Sequence, residues 1–277
     1  MLYLVATPIG NLADISYRAI ATLKKCDYIL CEDTRYSKRL LDAYEIDRPL
    51  RSYHKFNERE RLESILADLR EGKEIALISD AGTPGICDPG MRLAAACIEE
   101  NLYFTTIPGP NAALTALSLS GLSTERFQFL GFLPKGQGQL TKLFEQIFDY
   151  PGTTIVYETP HRLAKTLSLL HKINPKRRIV IARELTKLHE QCLRGTVENL
   201  LPIVQATPPR GEIVLLIEGK REEDTPQEEW PDIPEHVELL QKEFNLSLAD
   251  AIKRAAKMRG VPKREIYRVV HGIDEKN

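Results

Sequence analysis

Three stretches of small residues have the types and spacing to hold a ligand by its polar edges. They are TPIGN at 7–11, SDAGTPGICDPG at 79–90 and PGPNAA at 108–113. Each directly follows a short apolar run. Gly and Ala let a backbone approach a ligand closely, and Pro holds the loop in shape. Exposed N–H and C=O groups there could read an adenine edge and an amino-acid carboxylate. Asp80 could accept from a ribose hydroxyl or a ligand ammonium. The plainer reading is three connecting turns, but ordinary connections seldom need so much Gly and Pro at three strand ends.

A second group is acid–base in character. EDTR at 32–35 carries Glu32, Asp33 and Arg35. YETPHR at 157–162 carries Tyr157, Glu158, His161 and Arg162. ARELTKLHE at 182–190 carries Arg183, Glu184, Lys187 and His189. Each lies at the end of an apolar run, so one cleft could collect all three; surface ion pairs are the alternative. A weaker cluster is His54, Asn57 and Glu58. Lys135 in FLPKGQG sits in a Gly-containing loop where it could meet a phosphate.

The elements that must position these groups follow from hydrophobic periodicity. Strands are expected at 2–6, 27–32, 74–79 and 102–107, with helices at 12–25, 35–44 and 57–71. This alternation predicts an α/β domain with a largely parallel sheet. A second set of strands is expected at 126–132, 153–158, 178–183 and 212–218, with helices near 138–149, 160–173 and 196–206. The expected division is an N-terminal α/β domain over 1–112 and a second over 113–220. In open α/β sheets ligands bind at the carboxyl ends of strands, where the three loops fall.

Beyond 220 the composition changes. Residues 221–235 hold seven acidic residues and three prolines and read as an exposed linker. Residues 236–277 read as helical, with Ser247 as an N-cap, Gly260 as a C-terminal stop and a last helix from about Lys263 to His271. Seven basic side chains cluster there: Lys253, Arg254, Lys257, Arg259, Lys263, Arg264 and Arg268. A helix-turn-helix with such a patch suits a phosphate backbone; a solvated helical hairpin is the alternative.

Composition narrows the classes. The 277 residues carry 38 basic and 39 acidic side chains, a net charge of −1, so any polyanion site is local rather than global. The five cysteines include no Cys-x-x-Cys pair, which suggests neither disulfides nor zinc and fits a reducing cytoplasm. No apolar run reaches the ~20 residues of a membrane span. Neither a Gly-x-Gly-x-x-Gly turn after the first strand nor a P-loop is present, and no metal-ligand spacing is found.

Together these loops resemble the tetrapyrrole methylase superfamily of S-adenosylmethionine-dependent enzymes. The likeness rests on TPIGNLADIS at 7–16, CEDTR at 31–35, SDAGTPGICDPG at 79–90, IPGPNAALTALSLSGL at 107–122 and FLGFLPKG at 129–136. YETPHRL at 157–163, ARELTKLHE at 182–190 and GEIVLLIEG at 211–219 complete it. Within the superfamily it is similar to the branch that methylates the ribose 2′-hydroxyl of a cytidine in small-subunit ribosomal RNA. The resemblance implies two α/β domains with S-adenosylmethionine in the cleft between them, and a homodimer. By position it implies a cofactor pocket of Ile9, Asp80, Ala81, Gly82, Thr83, Pro84, Asn111, Ala112, Tyr157, Leu185 and Ile213. A general base is sought among Glu158, Glu184, Asp33 and His161, in that order, with Arg35 and Arg162 holding phosphates or carboxylates. The expected partner is ribosomal RNA or the small ribosomal subunit, held by Lys135 and the C-terminal cations, with no membrane association. Two other readings remain open: a precorrin-type C-methyltransferase, and a non-enzymatic regulator that binds S-adenosylmethionine and nucleic acid.

Overall fold

The structure is a computed structural model that describes residues 1–220 and 230–272. Residues 1–220 form one compact unit and the chain from 221 onward a second.

The first sheet is all parallel. Its strands are β1 (Leu2–Val5), β2 (Tyr28–Cys31), β3 (Leu50–Ser52), β4 (Ile75–Ile78) and β5 (Phe104–Ile107), in the order β3-β2-β4-β1-β5. Strands β2 and β4 are buried at every position, as continuous apolar runs require when helices cover both faces. The covering helices are α1 (Tyr17–Lys25), α2 (Thr34–Ala43), α3 (Glu58–Arg70) and α4 (Met91–Glu99). One face packs Leu30, Tyr53, Leu66 and Leu93 together; the other packs Val5, Ala19, Leu23 and Leu41.

The second sheet is mixed. It contains β6 (Phe127–Phe132), β7 (Thr153–Glu158), β8 (Arg178–Arg183), β9 (Gln191–Thr196) and β10 (Ile213–Ile217), in the order β6-β7-β10-β8-β9. Only β6 and β7 pair in parallel. Helices α6 (Gln137–Asp149), α7 (Pro160–Ile173) and α8 (Val197–Ala206) bury one face. The other face takes α5 (Ala112–Ser120), whose Ala116 and Leu117 pack with Ile155, Val180 and Leu216. Ile9 of the first loop and Leu185 join that cluster, so the two sheets share apolar contacts along their seam.

Several expectations need correction. The helix expected over 12–25 is a short 3-10 turn over Leu12–Asp14, then α1 from Tyr17; the Ser16 side chain caps Ala19 N–H at 3.1 Å and restarts the helix. Strands β3 and β9 and helices α4 and α5 were not foreseen. β3 is three residues long and partly exposed, and β9 is a mostly polar edge strand, so neither carries an apolar run.

In the C-terminal unit, the linker expected over 221–235 falls mostly on 221–229, outside the described residues. It ends earlier than expected, because α9 (Ile233–Phe244) starts at Asp232, whose carboxylate caps Glu235 N–H at 2.9 Å, with Pro234 in the first turn. Helices α10 (Leu248–Arg259) and α11 (Lys263–Val270) follow, with Ser247 and Gly260 in the expected capping places. Val237, Leu240, Ile252, Ala255 and Ile266 form its core. Residues 273–277 of the expected module lie outside the described residues. Among the described residues no helix is long and apolar enough to cross a membrane.

Candidate active site

Strand order makes the cleft. In the order β3-β2-β4-β1-β5 the chain leaves β1 past β4 to reach β2 and leaves β4 past β1 to reach β5, so the two connections run in opposite senses from neighbouring strands and the loops at the carboxyl ends of β4, β1 and β5 lie side by side. The three small-residue loops meet there and are laced together. Thr7 N–H donates to Gly82 O at 2.8 Å and Gly82 N–H to Thr7 O at 3.1 Å. Thr7 Oγ1 donates to Ser79 O at 3.0 Å, and Thr83 Oγ1 to Pro110 O at 3.4 Å. Gly82 has φ of 78°, a left-handed conformation that a side chain would strain.

The opposite wall comes from the second sheet. Antiparallel register sets Ile213 at the start of β10 beside both Glu158 at the end of β7 and Arg183 at the end of β8. Leu185 and Gly211–Val214 therefore sit next to Tyr157 and Glu158. The result is a cleft of about 460 Å³. It brings together ten of the eleven positions expected around a cofactor: Ile9, Asp80, Ala81, Gly82, Thr83, Asn111, Ala112, Tyr157, Leu185 and Ile213. Pro84 is buried beside the loop but does not line the cleft. Tyr157 packs edge-on against Phe129 and Phe132, with ring centroids at 4.9 and 5.5 Å, and burial pushes its phenol up to about 12.

The acid–base residues divide differently from the expectation. Glu158 lines the cleft, yet its side chain is fully covered and both oxygens are committed. Oε1 accepts from Thr159 N–H at 2.7 Å and Oε2 from Thr166 Oγ1 at 2.7 Å, with Arg162 Nε 3.5 Å away. Glu158 thus holds the first turns of α7 through both oxygens. Glu184 is bonded through one oxygen and does not line the cleft. Its Oε1 accepts from Lys187 Nζ at 2.9 Å and from Glu212 N–H at 3.0 Å, and the Lys187 ammonium holds its carboxyl below the usual range. A Cβ on Gly211 would collide with the Glu184 carboxylate at 2.1 Å, so the 211 loop needs glycine to close over it. Asp33 caps α2, accepting from the amides of Arg35 and Tyr36 at 2.8 and 3.4 Å, which lowers its carboxyl.

His161 is exposed on α7 and does not line the cleft. Arg35 projects into solvent and reaches only Asp33, at 3.5 Å. Arg162 donates to Leu133 O at 3.1 Å and Pro134 O at 2.7 Å, tying the end of β6 to α7. Arg183 is bonded to Gln191 Oε1 at 2.7 Å.

Sequence reading named Glu32 and Asp80 separately but missed Asp88 and the meeting of the three. Glu32, Asp80 and Asp88 all line the cleft, and among the described residues no Lys or Arg forms an ion pair with any of them. All three carboxyls are pushed up chiefly by burial; the charge of Asp80 adds to this at Glu32, that of Asp33 at Asp80, and those of Glu32 and Asp80 at Asp88, which reaches about 6. Glu32 was visible in EDTR, and Asp88 stood in plain view between two glycines of the second loop. Among the described residues no three His, Cys, Asp or Glu side chains converge as a metal site.

In the C-terminal unit, Lys253, Arg254, Lys257, Lys263 and Arg264 are exposed. Arg254 also lies over the Phe244 ring at 3.7 Å. Arg268 is half-buried and has a partner of its own. Arg259 departs from the expectation. Its guanidinium bonds His236 Nδ1 at 2.9 Å, Asp232 O at 3.3 Å and Pro231 O, clamping the start of α9 to α10. Lys135 is exposed just before α6.

Residues 1–201 match the family described as Tetrapyrrole (Corrin/Porphyrin) Methylases. The chain belongs to this family. It is 45% identical over 272 residues to "Ribosomal RNA small subunit methyltransferase I" of Halalkalibacterium halodurans, covering 98% of this chain and 94% of that protein. The Bacillus subtilis protein of the same name is 44% identical, with the same coverage. Among solved structures, uroporphyrin-III-C-methyltransferase from Thermus thermophilus superimposes with a TM-score of 0.55 at 20% identity, covering 78% of this chain and 93% of that one. That likeness speaks for the fold. The family member described here is a methyltransferase, and its donor is S-adenosylmethionine.

The cleft suits that donor. The laced loops present backbone edges at a glycine that leaves room for close approach, and Ile9, Leu185 and Ile213 offer apolar surface. Three carboxylates without a cation favour a ligand carrying positive charge.

Proposed function

We propose that this chain transfers a methyl group from S-adenosylmethionine to the 2′-hydroxyl of a cytidine ribose in small-subunit ribosomal RNA. The observation that carries the reading is likeness over nearly the whole chain, C-terminal helices included, to proteins named for methylation of that RNA. The donor supplies a methyl group on a positively charged sulfur, already activated for in-line displacement. The residues then have to hold and align. Backbone at 81–83 and 111–112 would seat the donor's polar edges, and Ile9, Tyr157, Leu185 and Ile213 would pack its apolar parts. Proximity and orientation supply most of the acceleration in such a transfer.

The hydroxyl is the poorer partner and needs a proton acceptor nearby. A target ribose must also be splayed out to enter a cleft, which favours single-stranded RNA or a loop. The exposed cations of α10 and α11, with Lys135, would hold flanking phosphates. A cytoplasmic homodimer acting on assembling small subunits is the working arrangement.

The test is methyl transfer from labelled S-adenosylmethionine to small ribosomal subunits lacking the modification, free ribosomal RNA and duplex DNA, followed by digestion to nucleosides. Label in 2′-O-methylcytidine is the expected result. Label in a base, or in DNA, would refute the reading.

A further inference from the structure

We propose that Asp88 is the proton acceptor for the attacking ribose hydroxyl. The inference rests on the RNA 2′-O-methylation reading and goes beyond it to a residue. It begins by elimination. Glu158 spends both oxygens on the first turns of α7, and neither Glu184 nor Asp33 lines the cleft. His161 does not line the cleft. Of the other carboxylates along it, Glu212 is paired with Lys187 at 3.1 Å, which leaves Glu32, Asp80 and Asp88.

Placement separates the three. Asp80 belongs to the loop that would seat the donor, and its Oδ1 already accepts from Asp33 N–H at 3.3 Å. Glu32 follows β2, with His54 as its electrostatic neighbour. Asp88 is held from behind by backbone. Gly85 N–H donates to Pro89 O at 3.1 Å, and Gly85, Cys87 and Gly90 all have positive φ, at 83°, 65° and 137°. Left-handed Cys87 is uncommon for a residue with a side chain, and such conformations gather at functional sites. Its thiol lies against the β6 bulge, where a Cβ on Gly131 would come within 2.9 Å of Sγ. The loop is thus wedged between the two sheets, and Asp88 is aimed into the cleft without a cation to neutralise it.

Asp88 accepts a hydrogen bond from the Ser79 side chain and faces Glu32 after β2, Asp80 after β4, Cys87 beside it and Tyr157 from β7. Burial, then the charges of Glu32 and Asp80, push its carboxyl up to about 6. A carboxylate with that value accepts a proton more readily than an ordinary one and is still ionised at neutral pH. In the transfer, the hydroxyl oxygen forms a bond to the methyl carbon as the carbon–sulfur bond breaks. The electron pair of that bond remains on sulfur, which becomes a neutral thioether, and the hydroxyl proton passes to Asp88 and then to water.

Two variants, Asp88→Asn and Asp88→Glu, test this with three readouts. Single-turnover methylation of unmodified small subunits should fall by at least about 100-fold in Asp88→Asn and recover in part in Asp88→Glu. Affinity for S-adenosylmethionine, by calorimetry, should fall by no more than about tenfold, the loss of one carboxylate's attraction for the sulfonium, and so by far less than the rate. NMR titration of carboxyl-labelled, cofactor-free wild type should show one aspartate titrating at about 6 that Asp88→Asn removes. With cofactor bound, the wild-type rate should rise with pH along a limb at or below that value, because the sulfonium favours the anion; Asp88→Asn should lose the limb.

An Asp88→Asn rate within about fivefold of wild type, or a loss of cofactor affinity matching the loss of rate, overturns the proposal. Should Asp88→Asn not fold, an Asp88→Glu limb unmoved from wild type overturns it instead. A wild type that leaves RNA unlabelled overturns the RNA reading and this proposal with it. A wild type that labels RNA beside an indifferent Asp88→Asn overturns the proposal alone.

Discussion

Glu158→Gln separates a structural carboxylate from a catalytic one. The native side chain accepts Thr159 N–H and Thr166 Oγ1, both at 2.7 Å, in a site closed to solvent. Glutamine keeps one acceptor oxygen. Its amide can face Thr166, whose hydroxyl rotates to accept, so one charge-assisted bond and the nearby Arg162 charge are what is lost. A hydrogen bond to a charged group contributes about 1.5–3 kcal/mol. In a unit of this size each kcal/mol moves the melting temperature by roughly 2–4 °C. Thermal unfolding should therefore shift down by about 3–12 °C, while turnover at 25 °C stays within about tenfold of wild type. Thr166→Val, which leaves Oε2 unpaired, should cost about 1–3 kcal/mol, and the double variant should cost less than the sum. The assays are circular-dichroism melting and methyl transfer on the same preparations. A fall in turnover beyond about 1,000-fold with an unchanged melting temperature would refute this account and restore Glu158 as the base.

Other expectations follow from the same geometry. Because Lys187 lowers the Glu184 carboxyl, that pair stabilises the fold fully above the ordinary glutamate value of about 4.3 and less as pH falls through the lowered value. Lys187→Met should thus be less stable than wild type at pH 7, with the difference closing below pH ~4 in denaturant titrations; a constant difference would contradict it. Gly82→Ala, at φ 78° and with its Cβ 3.4 Å from Ile9, should cost about 1–2 kcal/mol in folding and weaken cofactor binding, as calorimetry can check. Lys253→Ala with Lys257→Ala should lower the salt slope of single-stranded RNA binding by about 1.4, if each meets one phosphate, and leave melting unchanged. Arg259→Ala should instead loosen the helical unit, read as lost amide protection in α9.

Much of the architecture was legible locally. Continuous apolar runs such as IALI and IVLLI can only be buried strands, and Gly- and Pro-rich segments after them mark loops at strand ends. Ser247 and Gly260 announced helix ends through side-chain or backbone chemistry that needs no tertiary partner. Short strands β3 and β9 were not legible, since pairing at a sheet edge supplies what their composition lacks.

Sequence alone determined the family, the ligand-facing loops and the pool of acids and bases, because small residues, prolines and charges are read one position at a time. Only the tertiary structure decided which acids have work left to do. Glu158, Glu184 and Asp33 are chemically as able as Asp88, but a carboxylate's role depends on who already bonds it. Thr166 and the amide of 159 take both oxygens of Glu158, Lys187 and the amide of 212 bond one oxygen of Glu184, and the amides of 35 and 36 one of Asp33; around Asp88, folding gathers Glu32 and Asp80 from distant points in the chain, and among the described residues no lysine or arginine forms an ion pair with it.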